Sequence, residues 1–336
     1  MEVISGGFHA VFPMEDGSRV GEARRHAAQL ALDCGLDETE AGRLALVVTE
    51  LGNNLARHAV RGRLLLSPRP ALGEVDVIAL DEGPGIANLE RSLVDGFSTA
   101  GTPGTGLGAV RRLARQFDIH SSVPGGTVVL ARVGAGPGPQ EGHAICVGAV
   151  AIAAPGERVC GDGWAFALQG DVAALLVADG LGHGPDAAEA AAAAIEAFME
   201  DPLASPRVLL AHIHQRLRST RGAAVMLLQA DVASGTVRSA GAGNVMARLV
   251  SGTSDRALLS QHGTAGIAVR TPEEQCIAWP EHALLVVSTD GIETRWPPTV
   301  LAPLLGRDPT LAAAVLVRDH CRGRDDATVA VLRRKD

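Results

Sequence analysis

Residues 172–184 read Val172-Ala-Ala-Leu-Leu-Val-Ala-Asp179-Gly180-Leu-Gly182-His183-Gly184, an apolar run that ends on an acid and breaks into glycines. Seven apolar residues in a row are too few for a core helix and suit a strand buried on both faces. Asp179 then stands at the strand end, where the glycines turn the chain away. The alanine-rich stretch 185–200 behind it reads as a helix. Alone, an Asp-Gly pair is an ordinary turn.

Three other places repeat the arrangement. Asp162 lies in Cys160-Gly-Asp-Gly163, Asp290 follows the apolar run 284–288 in Ser288-Thr-Asp-Gly291, and Asp325 and Asp326 open the strand expected at 327–333. Acids so distant in sequence converge only if strands deliver them to one side of a sandwich. Gathered carboxylates repel one another unless protonated or neutralised by cations. An all-oxygen donor set suits Mg²⁺ or Mn²⁺. Two such ions clamp a phosphoryl group and acidify a water. Further strands are expected at about 144–153, 164–169, 223–230, 235–240, 244–250 and 275–279, with helices near 206–219, 298–305 and 310–320. Many strands with a paired helix insertion suggest two packed sheets flanked by helices.

Over residues 143–333 this pattern resembles the PPM-type phosphatases of the SpoIIE/RsbX branch. The resemblance implies an αββα sandwich in which Asp162, Asp179, Asp290 and Asp325 hold two Mn²⁺ or Mg²⁺ ions and Gly180 offers its carbonyl oxygen. Asp326 is expected behind the ligands, His183 carries no catalytic proton, and Gly241-Ala-Gly243-Asn244 is a tight strand connection. Phosphoserine or phosphothreonine of small STAS-domain proteins is the implied substrate.

Upstream, Gly134-Ala-Gly-Pro-Gly-Pro-Gln-Glu-Gly142 has the composition of a linker. It divides the chain into a half at 1–133, a linker at 134–142 and a half at 143–336. In the first half a strand at 3–12 leads to a helix at 18–34 that Gly35 terminates. A second helix starts at Asp37, with Glu40 completing a capping box, and buries Leu44, Val47, Val48, Leu51 and Leu55. Strands near 63–67 and 74–80, a glycine-rich segment at 101–108, a helix at 106–116 and two strands to about 133 follow, an α+β pattern.

Three segments of this half carry chemistry. Glu50, Asn54 and His58 recur one turn apart on the second helix. Asp81-Glu-Gly83-Pro-Gly85 turns at a strand end. Gly101-Thr-Pro-Gly104-Thr105-Gly106-Leu-Gly108 enters a helix, whose first N–H groups suit phosphate oxygens. In this order they resemble the Bergerat (GHKL) ATP-binding fold, an α/β sandwich, and Asp95-Gly-Phe-Ser-Thr-Ala-Gly101 with Gly104–Leu113 resembles its RsbT-type serine kinases and anti-sigma regulators. That implies Asn54 for Mg²⁺, Glu50 as general base, and Asp81 for the adenine amino group. Gly83 and Gly85 shape the adenine pocket, and Gly104, Thr105, Gly106 and Gly108 line the ATP phosphates. His58 is read as a helix-face residue without a catalytic role.

Lysine usage agrees. The single lysine is Lys335, so neither a P-loop nor a eukaryotic-type kinase, both lysine-dependent, fits this chain. A net charge of −8 without a basic stripe argues against nucleic acid. No apolar run reaches the ~18 residues of a membrane span, no leader pattern opens the chain, and five scattered cysteines form no C-x-x-C pair. A cytoplasmic protein is expected. The leading expectation is a bifunctional switch acting on STAS-domain proteins of a stressosome-like or partner-switching module. The alternative makes the first half a nucleotide-gated binder of a sigma factor or downstream output enzyme.

Overall fold

The computed structural model describes residues 1–93, 106–135, 144–252 and 254–335. It divides into two units, His9–Gly138, and Met1–Phe8 with Pro139–Asp336. The chain opens with strands β1 (Glu2–Gly6) and β2 (Ala10–Pro13), then helices α1 (Ser18–Asp33) and α2 (Glu38–His58). Strands β3 (Arg63–Arg69) and β4 (Glu74–Asp81), the turn α3 (Leu89–Ser92), α4 (Gly106–Leu113), β5 (Gln116–Ser122) and β6 (Gly126–Gly134) complete that half.

In His9–Gly138 the strand order is β2-β3-β4-β6-β5, all antiparallel. One face of the sheet, through Leu64, Leu66, Val75, Val77, Val129 and Ala131, packs on Ala23, Ala27 and Leu30 of α1 and Leu44, Val48, Leu51 and Leu55 of α2. Side chains at period 2 on the strands meet side chains at period 3.6 on the helices, which is what places a helix layer there. The expected end of α1 and start of α2 hold, whereas the helix expected at 106–116 stops at Leu113 and Gln116 already opens β5. Gly35 has φ +67 after α1, and the Asp37 carboxylate accepts from the Glu40 N–H at 2.8 Å. The Glu40 carboxylate itself pairs with Arg43, so the cap is made by the Asp37 side chain.

The second unit continues with β7 (Ile145–Ile152), β8 (Asp162–Gln169), β9 (Val172–Gly180), α5 (Pro185–Glu200), α6 (Pro206–Arg216), β10 (Ala223–Asp231), β11 (Thr236–Ala242) and β12 (Met246–Val250). After them come β13 (Asp255–Leu258), the short pair β14 (Gly263–Thr264) and β15 (Ala268–Val269), β16 (Gln275–Ala278), β17 (Leu284–Ser288), α7 (Pro309–His320) and β18 (Ala327–Arg334). One sheet runs β1-β8-β9-β10-β11-β16, the other β13-β12-β17-β18-β7. Helices α5 and α6 cover the first through Ala190, Ala194, Phe198, Leu210 and Ile213, while α7 packs on β7 and β18 of the second. The result is the αββα order expected. Residues 298–305, expected as one helix, form two short 3₁₀ turns, since Pro303 inside the range removes a helical N–H and crowds the preceding turn.

The strand expected at 3–12 is corrected. It is two strands in two sheets: β1 pairs β8 in the second unit, and β2 pairs β3 in the first. Gly6 ends the first of them and lies against the Trp164 indole, where a Cβ would fall 1.7 Å from Cε2. The half drawn as 1–133 therefore begins at His9.

Candidate functional site

Two sites are built separately, one in each unit. In the second unit, Asp162 begins β8 and Asp179 lies directly opposite it near the end of β9. Asp290 follows β17 and Asp325 precedes β18, neighbouring antiparallel strands of the other sheet. Thr289 ties the two sheets at this end. Its Oγ donates to Asp162 Oδ2 at 2.7 Å and accepts the Thr328 N–H at 2.9 Å. Asp179, Asp290 and Asp325 line one cavity of about 470 Å³ with Gly182, Ala224, Gly243, Asn244, His262 and Thr264. Asp162 and Asp326 lie outside that lining, and Asp326 accepts the Ala154 N–H at 2.8 Å.

The electrostatics are those of carboxylates held against their preference. Burial, then the Asp179 charge, raises Asp162 well above the ordinary range. Burial, then Asp290 and Asp325, lifts Asp179 to about 7. Burial and Asp325 raise Asp290, opposed by Arg322 and by the Asn244 amide, which donates to its Oδ2 at 2.6 Å. Such a cluster calls for multivalent cations. Among the described residues no three His, Cys, Asp or Glu side chains close as a ready-made cage on one ion. Hard cations that keep several waters fit an open, all-oxygen arrangement of this kind.

Gly180 sits where helix α5 touches β9, since a Cβ there would lie 2.1 Å from the Ala187 carbonyl oxygen. Close approach makes this position glycine, whatever its own carbonyl does. His183 lies outside the cavity lining and its Nδ1 meets Glu157 at 2.6 Å. Asn244 does lie in the connection between β11 and β12, and its amide is in addition a partner of Asp290. An Asn after two glycines looks like any turn in sequence, and only the pairing of β12 with β17 brings it across.

In the first unit, Glu50 and Asn54 are half-buried on α2 and His58 is exposed. Gly106 at the start of α4 abuts Asn54: a Cβ there would stand 3.1 Å from the Asn54 amide nitrogen. The helix start and the asparagine thus share one place, with a glycine for closeness. Asp81 ends β4 and accepts the Gly83 N–H at 2.8 Å. Gly85 has φ +77, and a Cβ there would fall 2.1 Å from the Ser122 carbonyl oxygen, so this turn folds onto the end of β5. Ser121 Oγ accepts the Ile86 N–H and stands 2.9 Å from Thr127 Oγ, and Thr127 is the cross-strand partner of Asp81. These two hydroxyls under the turn carry no sequence signal. Gly108 is buried in α4. Gly104 and Thr105 lie outside the described residues.

Each unit resembles known proteins. Residues 12–133 match the histidine kinase-like ATPase domain and residues 169–335 match stage II sporulation protein E (SpoIIE). The serine/threonine-protein kinase RsbT of Bacillus subtilis (strain 168) is 32% identical over 111 residues, which is 32% of this chain and 84% of RsbT. Among solved structures, one described as "The bacterial stressosome: a modular system that has been adapted to control secondary messenger signaling" is 29% identical, with a TM-score of 0.53 over 56% of this chain and 99% of its own. The phosphatase domain and regulatory fragment of SpoIIE from Bacillus subtilis share the fold, with a TM-score of 0.50 at 16% identity over 94% of this chain and 97% of that one. The chain belongs to the RsbT-like histidine kinase-like ATPases in its first unit and to the SpoIIE/PPM serine/threonine phosphatases in its second. Among the described residues no helix is long and apolar enough to cross a membrane.

Proposed function

We propose that the chain is a cytoplasmic two-way switch that phosphorylates a serine or threonine of a STAS-domain protein with ATP and removes phosphate from such a protein in its second unit. The observation that carries this is the pairing, in one polypeptide, of a carboxylate and an asparagine one turn apart beside a glycine-started helix with a cavity lined by Asp179, Asp290 and Asp325. The relatives include an RsbT kinase and a stressosome structure, which favours partner-switching proteins as substrates.

In the first unit, Asn54 and the N–H groups opening α4 would hold Mg²⁺ and the ATP phosphates, with Gly104, Thr105, Gly106 and Gly108 around them. Asp81 would accept from the adenine amino group in the turn shaped by Gly83 and Gly85. Glu50 would take the proton of the substrate hydroxyl. In the second, Asp162, Asp179, Asp290 and Asp325, with the Gly180 carbonyl, would hold two Mn²⁺ or Mg²⁺ ions. Bound there, the ions supply charge for the phosphoryl group and acidify a water. Thr289 fixes the Asp162 carboxylate, and Asn244 fixes that of Asp290.

The test is phosphate on a STAS-domain partner encoded near the gene, followed with ATP for wild type, Glu50→Gln, Asp179→Asn and the double variant. Phosphoprotein should accumulate in Asp179→Asn alone. A partner that Asp179→Asn never phosphorylates, although the wild type dephosphorylates it, would leave the first unit as a nucleotide-gated binder of a sigma factor or output enzyme. The intact Glu50 speaks against that second reading, since a binder has no use for a base there.

A further inference from the structure

The cavity of the second unit collects negative charge from Asp179, Asp290 and Asp325, with Asp162 and Asp326 close behind. Two divalent ions bring four positive charges against five carboxylates. A phosphomonoester then arrives with close to two negative charges. Productive binding requires one more cation beside the ions, placed where it does not displace them.

Few basic side chains qualify. Arg221 stands near Gly182 but is engaged by Asp186. His262 lines the cavity, on the side of Gly243 and Thr264. Arg322 differs from both. Its N–H donates to the Gly291 carbonyl at 2.8 Å, Cys321 bridges to Ile292, and the Glu293 N–H donates to the His320 carbonyl at 2.8 Å. This short ladder fixes the Arg322 backbone beside the residue after Asp290. The side chain is exposed, has no ion-pair partner among the described residues, and its charge is felt by the Asp290 carboxylate. Gly323, at φ +65, turns the chain directly after it toward Asp325.

We propose that Arg322 is the phosphate-binding residue of the second unit, its planar guanidinium taking two oxygens of the phosphomonoester or of product phosphate at the rim of the cavity. A guanidinium fork matches phosphate where an ammonium does not, and the contact is charge-assisted. The assignment rests on the phosphatase reading given above, which has its own control. The role is one of substrate binding, so its loss shows in affinity for phosphate, and loss of a metal ligand shows in affinity for the ion.

The experiment uses the full chain with Mn²⁺ and p-nitrophenyl phosphate, comparing wild type, Arg322→Ala, Arg322→Lys and Arg324→Ala. Inhibition by inorganic phosphate is measured, and Mn²⁺ binding is followed by calorimetry. Arg322→Ala should raise KM and the phosphate inhibition constant about 10- to 100-fold, the range of a charge-assisted pair. Arg322→Lys should recover part of this. Mn²⁺ affinity should stay or tighten, because a cation beside Asp290 has gone. Arg324→Ala removes the same charge from the same loop and should leave the phosphate constant within about twofold. An unchanged phosphate constant in Arg322→Ala overturns the proposal, as does an equal loss in both variants or a weakened Mn²⁺ affinity in Arg322→Ala. Absence of hydrolysis by the wild type instead sinks the phosphatase reading itself.

Discussion

The two units assemble their chemistry in opposite ways. In the first, Glu50 and Asn54 come from a single helix and Asp81 from the turn that ends one strand. In the second, the acids come from β8, β9, the end of β17 and the start of β18, in two different sheets. A site on one helix is set by local spacing and survives as long as that helix does. A site spread over strand ends exists only when the whole sandwich is closed, and its like charges then work against that closure. The first kind is displayed by the fold and the second is imposed by it.

The largest expected effect follows from this. Asp179→Asn should lower phosphatase turnover about 10³-fold or more, since several kcal/mol of charge stabilisation would depend on the ions it is proposed to hold. ATP binding should not change, and phosphate release and calorimetry on the same preparation check both. Next, Glu50→Gln should cost about 10²- to 10⁴-fold in phosphotransfer, the contribution of a positioned base, with ATP affinity retained. Equal loss of ATP affinity would mean that Glu50 supports the site and does not act in it.

Metal removal sharpens the contrast. Asp179 is lifted by burial and then by Asp290 and Asp325 to about 7. Between its unfolded value and 7 the folded state therefore binds the extra proton. Stability of the metal-free protein must fall as pH rises through that window, by an amount on the order of a few kcal/mol. Added Mn²⁺ should cancel the slope. Thermal unfolding at pH 5 and pH 8, with chelator and with Mn²⁺, measures it; a metal-free protein more stable at pH 8 breaks the picture of strained carboxylates.

Legibility divides along the same line. The α2 cap at Asp37, its buried stripe and the Glu50–Asn54 spacing are local, and sequence carries local information in full. The four acids stand out in sequence because each follows or precedes an apolar strand, and three of them, Asp179, Asp290 and Asp325, share one cavity. Asn244 was not, because its meaning lies in the Asp290 carboxylate on another strand. Thr289 beside Asp162 and the hydroxyls of Ser121 and Thr127 stayed hidden for the same reason. Most instructive is β1. Nothing in Glu2–Gly6 says that it pairs with β8 at Trp164–Leu168, far along the chain, sooner than with the strand beside it. Deleting residues 1–8 should strip the β8 edge, uncover Ile4 contacts and Trp164, and lower the Tm of the phosphatase unit by about 5–10 °C. A purely N-terminal role for β1 predicts no change there.

The smallest effect asks whether the two units unfold separately. Asp37 caps α2, the helix that carries Glu50 and Asn54, through its bond to the Glu40 N–H. Asp37→Ala removes that acceptor and leaves an orphan donor at the first turn, at a cost of about 1 kcal/mol. For a unit of this size that is a Tm shift of about 4 °C. ATP should raise the affected transition and Mn²⁺ the other, which labels each one by its ligand. If only the ATP-labelled transition moves in Asp37→Ala, the first unit unfolds alone and its helix-borne site is held by local forces. If both move together, the chain melts as one cooperative body, and the stability of each site then depends on the other.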